Sequence, residues 1–347
     1  MTDEDWLRYR KRGIGASEVG TILGLNPYKA SIELFYEKLG EDLNLNVENL
    51  AQFMGKEQED FVANLWQYWD PSDPQPGAMI NNYREKRVIR RCQRVNAYVH
   101  NPKYPWLFVS LDRKINHSNR NETPKSREDR FSETGVSYIG EGALEIKTIA
   151  GWEADKWEAG IPPSHVVQVQ TQLLVCEFEF GELATLTDGR QFDVLPFERR
   201  QDIMDTILTR TKDFWDRVEK ARAAMTRKFE GQRTFNYRMA QEAEAELAEL
   251  EPSPDGSDAF AAYLKKKYNL AEPGEVIGGE EQLNHAETHR KIQEQIKALE
   301  GQKQYHENIL KNSIRSEADK LTFGDRGFVS WRVDSRGSRR FLNKVKT

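Results

Sequence analysis

The sequence predicts an α/β fold, a mixed sheet flanked by helices, on three observations. Apolar residues recur every three or four positions in Met54 to Trp69 and in Ser164 to Cys176, the period of helices with one buried face. Between them, from Met79 to Ile115 and again in Gly142-Ala143-Leu144-Glu145-Ile146-Lys147-Thr148, the period shifts toward the two-residue alternation of strands. Beyond about residue 228 the composition turns polar, with an acidic, alanine-rich helix at Gln241 to Glu251. The chain is therefore expected to divide into a core at 1–228 and a mainly helical extension at 229–347 that ends in a short β segment.

Bulk properties exclude several classes. The 347 residues suffice for one large core with an appendage, and 38% hydrophobic with 31% charged residues describe a polar globular chain. No apolar run approaches the roughly 18 residues of a membrane span, and Met1-Thr2-Asp3-Glu4-Asp5 is acidic where a secretory signal is basic, so a cytoplasmic protein with no membrane partner is expected. Cys92 and Cys176 alone cannot build a disulfide framework or a four-cysteine metal site. His285 and His289 have a metal-binding spacing, but the helix carrying them is so polar that a solvated face is the better reading. A net charge of −5 does not mark a nucleic-acid binder, although a binding groove needs only a local basic surface.

Taken in order, Gly13-Ile14-Gly15-Ala16-Ser17-Glu18 permits a tight backbone path, and Ser17 is expected to cap a helix carrying Val19, Ile22 and Leu23. A hydroxyl and free amides at that helix start, with Arg10 and Arg12 before it, suit a phosphate; an ordinary capped helix is the alternative. Ser31 to Leu39 is a second helix, stopped by Gly40. On the Met54 to Trp69 helix, Glu59 lies at the edge of the stripe formed by Val62, Leu65, Trp66 and Trp69, where a carboxylate needs a partner.

Strands are predicted at Val88-Ile89, Asn96 to His100 and Trp106 to Asp112. The first carries Arg84, Lys86, Arg87, Arg90, Arg91 and Arg94, suited to tracking a phosphate backbone or to guarding a solvated edge. Asp112 emerges at the end of a hydrophobic strand. Residues 117–140 lack periodicity and suggest a long loop or hairpin tip. In the following strand Glu145 and Lys147 share one face and Leu144 and Ile146 the other. An acid and an ammonium together suit metal-assisted phosphodiester hydrolysis, though Glu-x-Lys also merely solvates strand faces.

His165, Gln168 and Gln172 line up on one face of the next helix, where a glutamine could serve the same site or simply meet solvent. A hairpin turning at Asp188-Gly189 and a long helix from Phe197 to about Arg227 complete the core. In the extension, the thin apolar stripe of His285 to about Ala318 suggests a helical hairpin or a partner helix. The arginine-rich strands of Phe323 to Phe341 could pack on helices or touch DNA.

The order of Glu59 on a helix, Asp112 at a strand end, Glu145-Ile146-Lys147 on the next strand and Gln168 on a helix resembles the PD-(D/E)XK nuclease pattern. Ile14-Gly15-Ala16-Ser17-Glu18, Gly55-Lys56 with Glu59, Leu144-Glu145-Ile146-Lys147-Thr148, Ile161-Pro162 and Gln168-Val169-Gln170 are similar to its lambda-exonuclease, or YqaJ-type viral recombinase, branch over about residues 8 to 200. The resemblance implies a restriction-endonuclease-like core in which Asp112, Glu145 and the Ile146 backbone carbonyl hold Mg²⁺, with Mn²⁺ able to substitute. Lys147 would position the attacking water, Gln168 would support it, and Glu59 would complete the site through a second metal or a bound water. Arg10 and Ser17 would grip the 5′-phosphate of a duplex end. It further implies 5′ to 3′ digestion of linear double-stranded DNA to mononucleotides, a ring-shaped homo-oligomer with a trimer favoured, and a single-strand annealing protein as partner. Where the family has Pro-Asp-Gly, this chain has Leu111-Asp112-Arg113. A structure-specific endonuclease or repair nuclease, and a non-catalytic DNA-end-binding scaffold, are the alternatives.

Overall fold

The computed structural model describes residues 8–40, 49–116, 141–158, 160–270, 274–316, 318–333 and 337–346, so the expected loop at 117–140 lies outside the described residues. The chain divides into two compact units, Met1–Asn269 and Leu270–Thr347. The first opens with β1 (Ile14–Gly15), α1 (Ala16–Ile22), α2 (Ser31–Leu39), α3 (Leu50–Tyr68) and α4 (Pro76–Glu85). There follow β2 (Cys92–Gln93), β3 (Tyr98–His100), β4 (Leu107–Ser110), β5 (Arg113–Asn116) and β6 (Glu141–Ile149), then the short α5 (Ala154–Glu158) and α6 (Pro163–Cys176). The hairpin β7 (Phe180–Thr187) and β8 (Gln191–Glu198) leads to α7 (Gln201–Arg233), α8 (Tyr237–Leu250) and α9 (Asp258–Lys267).

A five-stranded sheet in the order β2-β5-β6-β7-β8 is the centre of this unit, and a small sheet β1-β4-β3 stands beside it. Parallel strands need a crossover, and β6 pairs in parallel with β7 because α6 carries the chain back. Strand β6 is covered on both faces, as strands in parallel pairing usually are. Leu144 and Ile146 pack with Val62, Ala63 and Trp66 of α3, whereas Ala143 joins Val169 and Leu173 of α6. The alternation expected from the sequence thus turns Glu145 and Lys147 toward α6. Gly142 admits Phe180 at a distance no side chain would allow, since a Cβ there would stand 2.4 Å from its ring. Thr187 pairs with Gln191, so three residues make the β7–β8 turn, and two of them, Asp188 and Gly189, have positive φ, 52° and 65°.

Three local expectations are corrected. Val88-Ile89 is not a strand: α4, with Pro76 in its first turn, occupies the start of that region, and the amides of Ile89 and Arg90 both donate to the Gln67 carbonyl at 2.9 and 3.0 Å. Arg90, expected among phosphate-tracking residues, is 5% exposed. Its guanidinium pairs with Glu182 at 2.6 Å and lies 3.9 Å from the centroid of the Trp66 ring, whose indole N–H also donates to Glu182. Ser17 does not cap α1. The cap is Gly15, whose N–H donates to the Glu18 carboxylate at 2.8 Å, so Ser17 sits exposed in the first turn.

The first unit includes the segment 229–269 that composition assigns to the extension. α8 folds back on α7 through Arg227–Glu246 at 2.6 Å and Lys228–Glu244 at 3.0 Å, and Phe260 and Tyr263 of α9 pack on Ala30 and Ile32. The second unit consists of α10 (Glu280–Ile314) and the antiparallel strands β9 (Lys320–Thr322), β10 (Gly327–Val333) and β11 (Arg339–Val345). The end of α10 meets this sheet through Lys311, which lies over the rings of Trp331 and Phe341. Among the described residues no helix is long and apolar enough to cross a membrane.

Removing one partner of a buried pair strands the other charge. Arg90→Ala is expected to lower the stability of the first unit by about 3–5 kcal/mol, measured by urea denaturation.

Candidate active site

The site grows from β6 and the helix that follows it. Glu145 is 2% exposed, in surroundings where an unpaired carboxylate would cost several kcal/mol. Three donors surround it. Lys147, two residues along the same face, bonds Oε1; Gln168 Nε2 donates to Oε1 at 2.6 Å and Gln172 Nε2 to Oε2 at 2.6 Å. The four-residue spacing of the glutamines puts both on one side of α6. Gln172 belongs to the polar stripe visible in the sequence, but spacing alone does not tell a stripe facing a carboxylate from one facing water.

Asp112 lies in the short link between β4 and β5, and its Oδ2 accepts the Ile146 N–H at 2.9 Å. That bond brings the main chain of Ile146 and the Asp112 carboxylate together beside Glu145. Burial, and then the neighbouring charge of Glu145, push Asp112 up to about 8. Burial alone would lower the pKa of Lys147, but Glu145 and Asp112 outweigh it and hold it above the ordinary lysine value, so the group stands as an ammonium. His165, at the start of the same helix face and stacked on Trp157 at 5.2 Å, is pushed down to about 4 by burial and then by Lys147, which keeps it neutral.

Glu59 is held at the edge of this cluster by Arg113, close enough for its charge to act on Asp112 and Lys147. Arg113, 4% exposed, donates to Glu59 Oε1 at 2.6 Å and also bonds Asp60 and the main-chain carbonyl of Asp112. Arg113 was not among the candidate site residues; the sequence signal was its place in Leu111-Asp112-Arg113, where the pattern calls for a small turn residue. The structure fills that position with a buried cation tying the Asp112 link to α3.

Arg10 belongs to a charged group at the start of α1, and Ser17 is exposed in the first turn of that helix. Arg10 pairs with Glu18 at 2.6 Å, and buried Lys38 bonds the other Glu18 oxygen at 2.6 Å. Burial opposes ionisation of Glu18, yet Lys38 and Arg10 hold it below the ordinary carboxylate value. Helix α1 approaches α6 closely, since a Cβ on Gly20 would stand 3.1 Å from that of Ser164. The helix bearing Ser17 and the helix bearing Gln168 are therefore packed together.

The donor set can be tested against a divalent cation. Among the described residues no group of three His, Cys, Asp or Glu side chains gathers around one point. A buried and a half-buried carboxylate that repel each other, with only oxygen donors, fit a hard cation such as Mg²⁺ or Mn²⁺, which commonly takes one or two carboxylates and completes its shell with water and substrate phosphate. Asp112, Glu145 and the Ile146 carbonyl would hold it, while Glu59 is engaged by Arg113.

A family model described as the YqaJ-like viral recombinase domain matches residues 5–179, half of the chain. The chain belongs to that family. It is 27% identical over 325 residues to the uncharacterized protein YqaJ of Bacillus subtilis (strain 168), covering 91% of this chain and 79% of that protein. Among solved structures, it is similar to the alkaline exonuclease LHK-Exo of Laribacter hongkongensis, with TM-score 0.46 and 17% identity over 66% of this chain and 99% of that one. A phage-related exonuclease of Haemophilus somnus 129PT matches with TM-score 0.33 and 12% identity over 58% of this chain and 90% of that one.

The raised Asp112 value sets a direction for stability. Between the unfolded value near 3.8 and about 8 the folded protein binds the extra proton, so stability falls as pH rises through this window. With a chelator present, Asp112→Asn is expected to exceed the wild type in stability at pH ~9 and to match it at pH ~4. Urea midpoints at the two pH values would check this.

Proposed function

We propose that this chain is a metal-dependent deoxyribonuclease that digests linear duplex DNA from its end, 5′ to 3′, releasing mononucleotides and leaving a 3′ single strand for annealing. The observation that carries the reading is a carboxylate pair, half-buried Asp112 and buried Glu145, beside a protonated Lys147, with Gln168 holding Glu145. Membership in a family of viral recombinases supports a role in recombination.

In this reading Asp112, Glu145 and the Ile146 carbonyl bind the divalent cation. When bound, the cation supplies Lewis-acid polarisation of the phosphodiester and lowers the pKa of water. Lys147 orients the attacking water and offsets negative charge gathering on phosphorus; as an ammonium it is not the base. Gln168 and Gln172 keep the Glu145 carboxylate from rotating, and Arg113 fixes the link bearing Asp112. Arg10 and Ser17 are assigned to the 5′-phosphate of the entering end, which sets the polarity. A ring-shaped homo-oligomer working in the cytoplasm with a single-strand annealing protein completes the proposal.

Digestion of a linear duplex carrying a labelled 5′-phosphate, with and without Mg²⁺, tests it. Wild type should release labelled mononucleotide only with Mg²⁺, and Lys147→Ala should be slower by about 10²–10³-fold, the usual cost of removing one electrostatic group at a reacting centre. Binding by both proteins with cutting by neither would instead support an end-binding scaffold.

A further inference from the structure

The second unit concentrates charge of the opposite sign to the whole. Residues 318–347 contain eight Lys or Arg and three Asp, net +5, in a chain whose total is −5. The three-stranded sheet decides where much of that charge points.

Cross-strand partners share a face. One face carries Val329 with its partner Leu321, and Trp331 with its partner Phe341, and receives Lys311 of α10 over both rings. The other carries Phe328 opposite Thr322 and Lys344, Ser330 opposite Lys320 and Leu342, and Arg332 opposite Arg340. Lys320, Arg332, Arg340 and Lys344 are all exposed there. Arg332 and Arg340 stand directly opposite each other, a like-charge pairing that works against the sheet. Arg332 also meets Asp319 at 3.0 Å. Arg340 and Lys344 are four residues apart on one strand, about 13 Å at the usual rise. Between the cations lie Leu342, 46% exposed, and the partly exposed ring of Phe328.

We infer that this face of the second unit binds single-stranded DNA. Exposed cations spread over one face of the sheet match a string of phosphates. The interleaved apolar groups favour a single strand over a duplex: unpaired bases expose apolar faces that a duplex keeps stacked inside. The inference rests on the proposed nuclease reading for the source of the strand, since digestion of one strand of a duplex leaves the other unpaired.

The test is fluorescence anisotropy of the full chain in EDTA, with a labelled single strand and a labelled blunt duplex of the same length. The triple variant Arg332→Gln, Arg340→Gln, Lys344→Gln should bind the single strand about tenfold or more weakly. Its slope of log K against log salt should be shallower by about 2, at roughly 0.7 per lost contact. Duplex binding should change less than twofold. Arg332→Lys with Arg340→Lys keeps the charge and should bind as the wild type, which separates lost charge from misfolding. Unchanged single-strand affinity, or equal loss on duplex and single strand, overturns the inference. Duplex digestion is followed in the same preparations. If wild type digests DNA and the triple variant binds normally, the sheet assignment alone fails. If sheet-dependent single-strand binding persists without any digestion by wild type, the nuclease reading alone fails.

Discussion

A buried negative charge on Glu145 is the constraint on which this structure turns. A carboxylate taken out of water is tolerated only when its oxygens are occupied by donors. Here the donors come from two directions, Lys147 from its own strand and Gln168 and Gln172 from α6. Both directions follow from topology. The strand must be covered by a helix on the face its charged residues share, and the parallel pairing of β6 with β7 requires that helix as the crossover. The site is thus a by-product of the connection that makes the sheet, with its polar atoms placed where the crossover helix faces the strand.

The second constraint is the link carrying Asp112. A small turn residue would leave this link to its own backbone, whereas Arg113 anchors it from inside. Its guanidinium spans the Asp112 carbonyl, Glu59 and Asp60, so the position of α3 and the position of the aspartate are set by one side chain. Arginine suits the task because its planar fork serves several acceptors at once and stays charged when buried. The same helix is tied to β7 by Glu182, which accepts from the Trp66 indole N–H and pairs with Arg90 over the Trp66 ring. Two buried cations therefore dock α3, one serving the site and the other the core.

Charge is distributed in this chain according to task. The densest basic run in the sequence, Arg84 to Arg94, yields one structural cation in Arg90, while its other members stay at the surface. The basic face with an ordered strand register lies in the second unit, where the overall negative charge gives no hint of it. Net charge consequently says little about binding, because repulsion and attraction act over about a Debye length and not over the whole molecule.

By itself, the sequence determined the elements whose periodicity is set by burial: α3, α6, β6 and the β7–β8 hairpin, together with the face shared by Glu145 and Lys147, because a period of two or of three to four is a local property. It also contained Asp112 and Gln168 as candidates. Only the tertiary structure decided which polar side chains meet. Gly15, not Ser17, is the cap, because its N–H meets the Glu18 carboxylate that Arg10 and Lys38 hold in place. Gln172 became a ligand of Glu145 because α6 faces β6, and Glu59 was drawn to Arg113, a residue 54 positions away. Such pairings depend on distances between segments remote in the chain, and no local pattern encodes them.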